Sequence, residues 1–221
     1  MDKVQIFIDG GNFYNLALKR IGCHESDFDF EKFSQFLIGD RELVYPGKRF
    51  YIGTVRGKDH NHETTKAMSN QNYLFNTLER YGWTIKTSKL RTRTETVKVD
   101  DRFKDYQSIL AKGIQEITYQ RSREKGIDVK LATDMLIGAI DGKYDIAVVV
   151  SSDSDLIPAI DVVRKRFNKK VEYVSFSSLP LPDIKIYEEL KPTNSMIYHS
   201  DIQRIIPVDD LKKFIVVTEK S

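Results

Sequence analysis

The chain has 221 residues, of which 40% are hydrophobic and 30% are charged, and its formal net charge is +3. This length can bury a core of its own, so one domain is expected, and the composition excludes the disordered and membrane-spanning classes. The single cysteine, Cys23, excludes an internal disulfide and a zinc site built from cysteines. A charge of +3 does not by itself predict nucleic-acid binding, which would have to come from local basic clusters.

The beginning of the chain leads from Met1 through Asp2 and Lys3 directly into an apolar strand pattern. This pattern leaves no room for the apolar region of a secretory signal. We therefore expect a cytoplasmic protein that has no membrane partner.

Hydrophobic periodicity predicts strands that alternate with helices. In chain order the elements are strand Val4 to Asp9, a helix through Phe13 and Ile21, helix Phe28 to Leu37, strand Arg49 to Val55, helix His60 to Arg80, strand Trp83 to Lys89, helix Asp128 to Ile140, strand Asp145 to Val150, helix Leu156 to Phe167 and strand Lys170 to Phe176. This alternation predicts an α/β fold with a central parallel sheet flanked by helices on both faces.

Two regions depart from the alternation. Residues of about 90–124 form an insertion with a looser pattern, a helical piece around Phe103 to Ala111 and a candidate strand Ile114 to Tyr119. Residues 179–221 are predicted to be a C-terminal extension that packs on the main domain of residues 1–178 and carries a short amphipathic helix near Ile184 to Leu190.

Five aspartates follow or flank the predicted strands. Asp9 ends the first strand, and Asp153 and Asp155 follow the fourth strand after two serines. The preceding helix contributes Asp128 at its entrance and Asp134 in its interior. Ligands of open α/β sheets bind beyond the carboxyl ends of the strands, so we expect these acids to converge at that edge.

Such a cluster has a defined chemistry. Neighbouring carboxylates repel one another in a partly desolvated site, and a bound cation relieves this repulsion. Oxygen ligands without histidine or cysteine match Mg²⁺ or Mn²⁺. These ions activate water and stabilise in-line displacement at phosphorus, so the pattern predicts hydrolysis of phosphodiester bonds.

Structural roles compete with the metal-binding interpretation at some positions. Asp128 precedes an apolar helical stripe, so it is a candidate N-cap as well as a candidate ligand. Asp134 lies inside an apolar helix, where an unpaired carboxylate is costly, and this favours a functional role. Asp153 and Asp155 can both cap the next helix; we assign Asp153 to the metal and Asp155 to a supporting role.

Three segments together resemble the signature of the NYN domain family, especially its LabA-like members: FIDGGNFY, KGIDVKLATDML and VVVSSDSDLIPAI. The resemblance implies a PIN-like three-layer fold and a divalent-metal-dependent endoribonuclease that uses Mg²⁺ or Mn²⁺. It implies metal-binding catalytic roles for Asp9, Asp128, Asp134 and Asp153, with Asn12, Ser152 and Asp155 as supporting polar groups.

Cations near the strand ends are candidates for contacts with RNA, and DNA is the other candidate substrate. They are Arg56, Lys58, Lys86, Lys89, Arg91 and Arg93. The last two begin a locally basic part of the insertion, which leads to the hypothesis that the insertion shapes an RNA groove. The sequence does not indicate an oligomeric state.

Two other functions compete with the nuclease. A non-catalytic RNA- or protein-binding module with a PIN-like fold would keep the architecture without the chemistry. A haloacid-dehalogenase-like phosphatase would need a second aspartate two residues after Asp9, where this chain has Gly11. We rank the phosphatase last for that reason.

Overall fold

The computed structural model describes residues 1–54, 62–89, 91–123, 126–179 and 189–216. The predicted contact residues Arg56 and Lys58 lie outside these ranges, as does most of the predicted helix near Ile184. None of the helices in the described ranges is long and apolar enough to cross a membrane.

Six parallel strands form the central sheet, in the order β3-β2-β1-β6-β7-β8, and two antiparallel strands form a separate ribbon. The strands are β1 Lys3–Asp9, β2 Glu42–Thr54, β3 Trp83–Lys89, β4 Arg91–Lys98, β5 Glu116–Arg123, β6 Ile146–Val150, β7 Lys170–Ser177 and β8 Ile202–Pro207.

Helices cover both faces of this sheet, as expected for parallel strands joined by crossovers. They are α1 Gly10–Leu16, α2 Phe30–Ile38, α3 His62–Arg80, α4 Tyr106–Ala111, α5 Ile127–Ile140, α6 Ile157–Phe167 and α7 Asn194–Tyr198. Short 3₁₀ turns include Ser154–Leu156 and Val208–Phe214.

Two hydrophobic cores lie on opposite faces of the sheet. Along β1, Ile6 and Ile8 point into the core shared with α1, α2 and α3, whereas Phe7 points into the core shared with α5 and α6. All three side chains are fully buried. The continuous apolar run in β1 therefore reflects a strand that is covered on both faces, and the predicted three-layer α/β fold is confirmed.

Strand boundaries show where the sequence pattern was incomplete. β2 begins at Glu42, well before the predicted start at Arg49, because Pro46 and Gly47 interrupt the apolar pattern of an otherwise continuous strand. β8 was not predicted, and it pairs in parallel with β7 at the edge of the sheet. Ile206 is the one buried residue of β8, so the apolar alternation of this strand is weak.

The insertion forms the β4–β5 ribbon, a two-stranded antiparallel sheet connected through α4. The predicted helical piece corresponds to α4, and the candidate strand beginning at Ile114 corresponds to β5, which starts at Glu116 and continues to Arg123. The ribbon begins two residues after β3 and ends four residues before α5, so it starts and finishes at the carboxyl edge of the sheet.

Candidate functional site

Asp9 lies at the carboxyl end of β1 and is almost completely buried. Its Oδ1 accepts a hydrogen bond from the backbone N–H of Asn12 at 3.0 Å, so Asp9 caps α1. Its Oδ2 accepts a hydrogen bond from the Ser151 hydroxyl at 3.3 Å. The next residue must be glycine, because a Cβ at Gly10 would lie 2.7 Å from the ring of Phe50. Asp9 is thus held in a defined orientation at the strand end.

Ser151 connects Asp9 to the loop that follows β6. Its Oγ donates to Asp9 and also accepts a hydrogen bond from the backbone N–H of Asp153 at 3.2 Å. We call residues 151–155 the acid loop. Sequence analysis did not assign a role to Ser151, although strand alternation from the buried Val149 places it on the same face of the sheet.

Asp153 caps the 3₁₀ turn that leads into α6, because its Oδ1 accepts a hydrogen bond from the backbone N–H of Asp155 at 2.9 Å. The capping carboxylate is therefore Asp153, whereas the structural role had been assigned to Asp155. The cap uses only one of the two oxygens of Asp153, so capping and cation binding are compatible.

The two predicted supporting residues Asn12 and Ser152 fix the acid loop. The side-chain oxygen of Asn12 accepts a hydrogen bond from the backbone N–H of Ser152 at 2.9 Å. The Ser152 hydroxyl lies 2.8 Å from the hydroxyl of Tyr173, which also accepts the backbone N–H of Thr193 at 3.2 Å. Tyr173 and Thr193 were not singled out in the sequence, because their partner is distant along the chain.

Asp128 lies in the first turn of α5, and the N-cap is Gly126 with a φ of 84°. The N-cap alternative for Asp128 is thereby excluded. The pKa of Asp128 is raised, first by burial and then by the negative charges of Asp153 and Asp155. Asp128 therefore lies within electrostatic range of the acid loop.

Three side chains approach Asp134, all at its Oδ2: Tyr51 donates a hydrogen bond, and Arg49 and Lys86 form ion pairs. A guanidinium nitrogen of Arg49 lies at 2.9 Å, the hydroxyl of Tyr51 at 2.8 Å and the ammonium of Lys86 at 3.8 Å. Burial, followed by the nearby carboxylate of Asp134, raises the pKa of Tyr51, so the phenol stays protonated as a donor. Tyr51 is the register neighbour of Asp9, so this network adjoins the strand end that carries Asp9.

The ion pair gives Asp134 a structural role that the sequence did not suggest. Arg49 is 8% exposed. The sequence did not identify it as the partner of Asp134, because the partner of a cation in an apolar strand cannot be located from the sequence. Asp128 and Asp134 differ by about 120° around the helix axis, which agrees with their facing different groups.

Among the predicted nucleic-acid contacts, Lys86 approaches one of the acids, because its ammonium lies 3.8 Å from Asp134. Lys89 ends β3, Arg91 begins β4, and Arg93 is exposed on the β4–β5 ribbon. These four positions follow one another along the carboxyl edge of the sheet and into the ribbon.

The acids fit a hydrated cation better than a closed cage. In the described part of the chain, no group of three or more His, Cys, Asp or Glu side chains is placed to hold a metal ion. Mg²⁺ usually keeps several waters and binds through one or two carboxylates together with substrate phosphates. An oxygen-only set of Asp9 and Asp153, with Asp128 within electrostatic range of the same loop, suits that mode.

Comparison with known proteins adds a family match and a structural neighbour. The family model described as the NYN domain matches residues 3–189. A crystal structure of a protein of unknown function from Vibrio parahaemolyticus RIMD 2210633 is similar in fold, with a TM-score of 0.52, 17% identity and coverage of 97% of this chain and 96% of that chain. No curated protein matched the chain.

Proposed function

Because the chain belongs to the NYN domain family, a group of PIN-like nucleases, we propose that it is a divalent-metal-dependent endoribonuclease that hydrolyses phosphodiester bonds in RNA. The observation that carries the proposal is the link made by Ser151. One hydroxyl holds Asp9 and the acid loop together, and Asp128 lies within electrostatic range of the same loop. The shared serine links Asp9 to Asp153, and the charge of Asp153 acts on Asp128, which supports a cation site at the carboxyl edge of the sheet.

Asp9 and Asp153 are the proposed direct ligands of Mg²⁺ or Mn²⁺, and Asp128 is proposed to bind through a water. When bound, the ion would supply activation of a water nucleophile and neutralisation of phosphate charge. The raised pKa of Asp128 supports this assignment, because burial and then the charges of Asp153 and Asp155 disfavour its ionised form, which a cation would favour.

Asp134 remains a proposed ligand of a different kind. Arg49 and Lys86 both form ion pairs with its Oδ2. We therefore propose Oδ1 as the oxygen that would contribute to a cation. Its main proposed role is to hold α5, and with it Asp128, against β2.

The chain's own residues prepare the site before any substrate arrives. Asn12 and Ser152 hold the acid loop against α1, while the hydroxyl of Tyr173 holds it against β7. Preorganised groups do not need to reorient during the reaction, which lowers the barrier of the chemical step. Asp155 caps no helix, and we propose that it adds to the negative potential that attracts a cation.

RNA is the proposed substrate because basic residues continue outward from the acids. Lys86, Lys89, Arg91 and Arg93 follow the carboxyl edge of the sheet into the ribbon, and we propose that they contact the phosphate backbone, together with Arg56 and Lys58. DNA would be bound by the same charges, so the test below includes both.

The test is a cleavage assay with the purified full chain on labelled single-stranded RNA, structured RNA and DNA. We expect Mg²⁺- or Mn²⁺-dependent endonucleolytic products, which EDTA abolishes. Asp9→Asn and Asp153→Asn should each lower the rate by at least about 100-fold, the scale of losing a main charge-stabilising group. Asp141→Asn, an exposed aspartate after α5 that is paired with Lys143, is the matched control and should cleave as the wild type does.

The second candidate is a non-catalytic binding module. The ion pair between Asp134 and Arg49 favours it, because this carboxylate is committed to stability. Activity that survives EDTA or Asp153→Asn would contradict the metal-dependent nuclease. RNA binding without cleavage under all metal conditions would favour the binding module.

A further inference from the structure

The β4–β5 ribbon has an unusual charge arrangement. Its strands pair over eight positions, with Arg91 opposite Arg123 and Arg93 opposite Arg121. We call these four residues the arginine end. Like charges placed directly opposite one another destabilise an antiparallel pair, so the arrangement is unfavourable for the ribbon alone.

The arginine end is a local concentration of charge. Residues 91–94 and 120–123 contain four arginines and no acid, whereas the whole chain has a net charge of only +3. In the described part of the chain, the ribbon pairs with no strand of the central sheet.

The charges are confined to one face of this end. Successive residues of a strand belong to alternate faces, so the register places positions 91, 93, 121 and 123 on one face of the ribbon. Four uncharged residues occupy the opposite face at the same end: Thr92, Thr94, Gln120 and Ser122. Arginines that served only to solvate the ribbon would not need to be separated from the uncharged residues in this way.

An aromatic residue continues the charged face. Tyr119 is the next residue of β5 on that face, and its side chain is 41% exposed. Its hydroxyl donates to the Glu95 carboxylate directly opposite, at 3.1 Å. The ring is therefore held in place while much of its surface stays accessible.

The arginine end is also the end nearest the acids. β4 starts two residues after β3 ends, and β5 ends four residues before α5, whose first turn carries Asp128. Eight residues at about 3.3 Å each give a ribbon on the order of 26 Å long, with its base at the carboxyl edge of the sheet. A strand bound along this face would continue towards Asp128.

We propose that this face of the β4–β5 ribbon is a binding platform for a single strand of nucleic acid, in which the arginine end holds phosphates and Tyr119 stacks on an unpaired base. Proteins that bind single strands combine backbone-tracking cations with aromatic stacking surfaces. The identity of the strand as RNA rests on the proposed function, whereas the platform itself does not.

The test measures binding of the full chain to a short labelled oligouridylate and to an RNA duplex, in EDTA so that no cleavage occurs. Arg93→Gln/Arg121→Gln should weaken oligouridylate binding and lower the slope of log Kd against log salt by about 1.4, since each phosphate contact on a single strand contributes about 0.7. Lys98→Gln/Lys104→Gln removes the same charge elsewhere in the insertion and should leave the slope unchanged.

Stacking is tested separately from charge. Tyr119→Leu should weaken oligouridylate binding by about fivefold to 100-fold while leaving the salt slope unchanged, and Tyr119→Phe should bind as the wild type does. The unfolding temperature of Arg93→Gln/Arg121→Gln should be equal to or above that of the wild type, because repulsion is removed. A lower unfolding temperature would show that the arginines serve folding and would overturn the platform.

The outcomes separate the platform from the nuclease. If the arginine and Tyr119→Leu variants bind the single strand as tightly as the wild type does, the platform is overturned. It is also overturned if the wild type binds the duplex more tightly than the single strand and Tyr119→Leu does not change duplex binding. A wild type that binds through the ribbon but never cleaves would refute the nuclease and leave the platform standing.

Discussion

At the scale of single residues, Asp128 is a carboxyl group whose ionisation opposes folding. Its pKa is raised by burial and by the charges of Asp153 and Asp155. A carboxyl with a raised folded-state pKa stabilises the fold below its unfolded pKa, and this contribution is lost as the pH rises through the folded pKa. At neutral pH, ionised Asp128 is therefore a source of repulsion.

Asp128→Asn should accordingly raise the unfolding temperature of the metal-free protein at pH 7. The expected rise is roughly 2–4 °C for each kcal/mol of repulsion removed in a chain of this size. Calorimetry across pH checks the sign, because the advantage should disappear at pH values below the ordinary carboxyl pKa of 3.8. Asp141→Asn serves as the control, and a lower unfolding temperature for Asp128→Asn at pH 7 would contradict the prediction.

Ser151 tests whether the link between Asp9 and the acid loop matters for activity. Ser151→Ala removes one donor to Asp9 and one acceptor for the N–H of Asp153. Each hydrogen bond contributes about 1 kcal/mol, so we expect cleavage to slow by about 10-fold in kcat, with little change in KM. Asp9 keeps its bond from the N–H of Asn12, so the variant should stay folded.

Steady-state kinetics on one RNA substrate would separate these effects. Ser154→Ala alters a neighbouring exposed serine in the same loop and should cleave as the wild type does. An unchanged kcat for Ser151→Ala would show that Asp9 and Asp153 do not depend on this link.

At the scale of elements, the position of α5 depends on the ion pair between Asp134 and Arg49. The side chains of Asp134 and Arg49 are 16% and 9% exposed, and Tyr51 adds a hydrogen bond to the same oxygen. Removing one partner of such a pair leaves the other charge buried without compensation, which costs about 3–5 kcal/mol.

Asp134→Leu should therefore lower the free energy of unfolding by about 3 kcal/mol in EDTA, as measured by urea denaturation. The double variant Asp134→Leu/Arg49→Met should recover much of that loss, because both charges are then absent. If the double variant does not recover the free energy of unfolding lost in Asp134→Leu, the broken ion pair is not the cause of that loss. If Asp134 also contributes to a cation, the metal-dependent rise in stability should shrink in both variants.

The same elements show what the sequence can predict. β1, β6 and α5 were located from their apolar patterns, and the rule that ligands bind beyond the carboxyl ends of strands placed Asp9 and Asp153 at one edge. The partner of Asp134 could not be predicted, because Arg49 lies 85 positions away in the sequence and only the β2–α5 packing brings them together. An aspartate within an apolar helix indicates a partner, but not whether the partner is a metal or a guanidinium.

Edge elements are harder to predict for a related reason. β8 has the pattern IQRIIP, in which Gln203 and Ile205 are exposed, because an edge strand is only half covered. The ribbon strands lie outside the two hydrophobic cores, so their sequences alternate charged residues with threonine and other polar residues instead of showing an apolar pattern. Their pairing register, which exposes the opposed arginines, becomes visible only in three dimensions.

At the scale of the whole molecule, residues after β7 complete the fold. β8 extends the sheet, and its Arg204 contacts the fully buried Glu172 of β7 at 2.7 Å. Arg41, which precedes β2, contacts the same carboxylate at 2.6 Å. A buried carboxylate shared by two arginines joins the C-terminal segment to the α2–β2 connection.

The turn after β8 also completes the core that the sheet shares with α1, α2 and α3. Phe214 packs edge-on against Phe28 and Phe33, with ring centroids 5.8 and 5.4 Å apart. Leu211 is fully buried beside them in the same core. Residues after 178 therefore contribute to the core of the sheet domain itself.

A protein that ends at residue 178 should consequently fail to unfold cooperatively. It would lose five buried apolar side chains, Met196, Ile206, Val208, Leu211 and Phe214, at about 1.5–3 kcal/mol each. That sum is comparable to the total stability of a domain, about 5–15 kcal/mol. It would also leave Glu172 without Arg204 and expose β7 as a hydrophobic edge, which promotes aggregation.

Calorimetry and size-exclusion chromatography of chains that end at residues 178 and 216 would test this. The chain that ends at 216 keeps β8 and Phe214, so it should show a single cooperative transition at the temperature of the full chain. A soluble, cooperatively folding chain that ends at 178 would mean that the five remaining strands form a self-sufficient sheet, and that β8 is an addition to the NYN domain instead of one of its core strands.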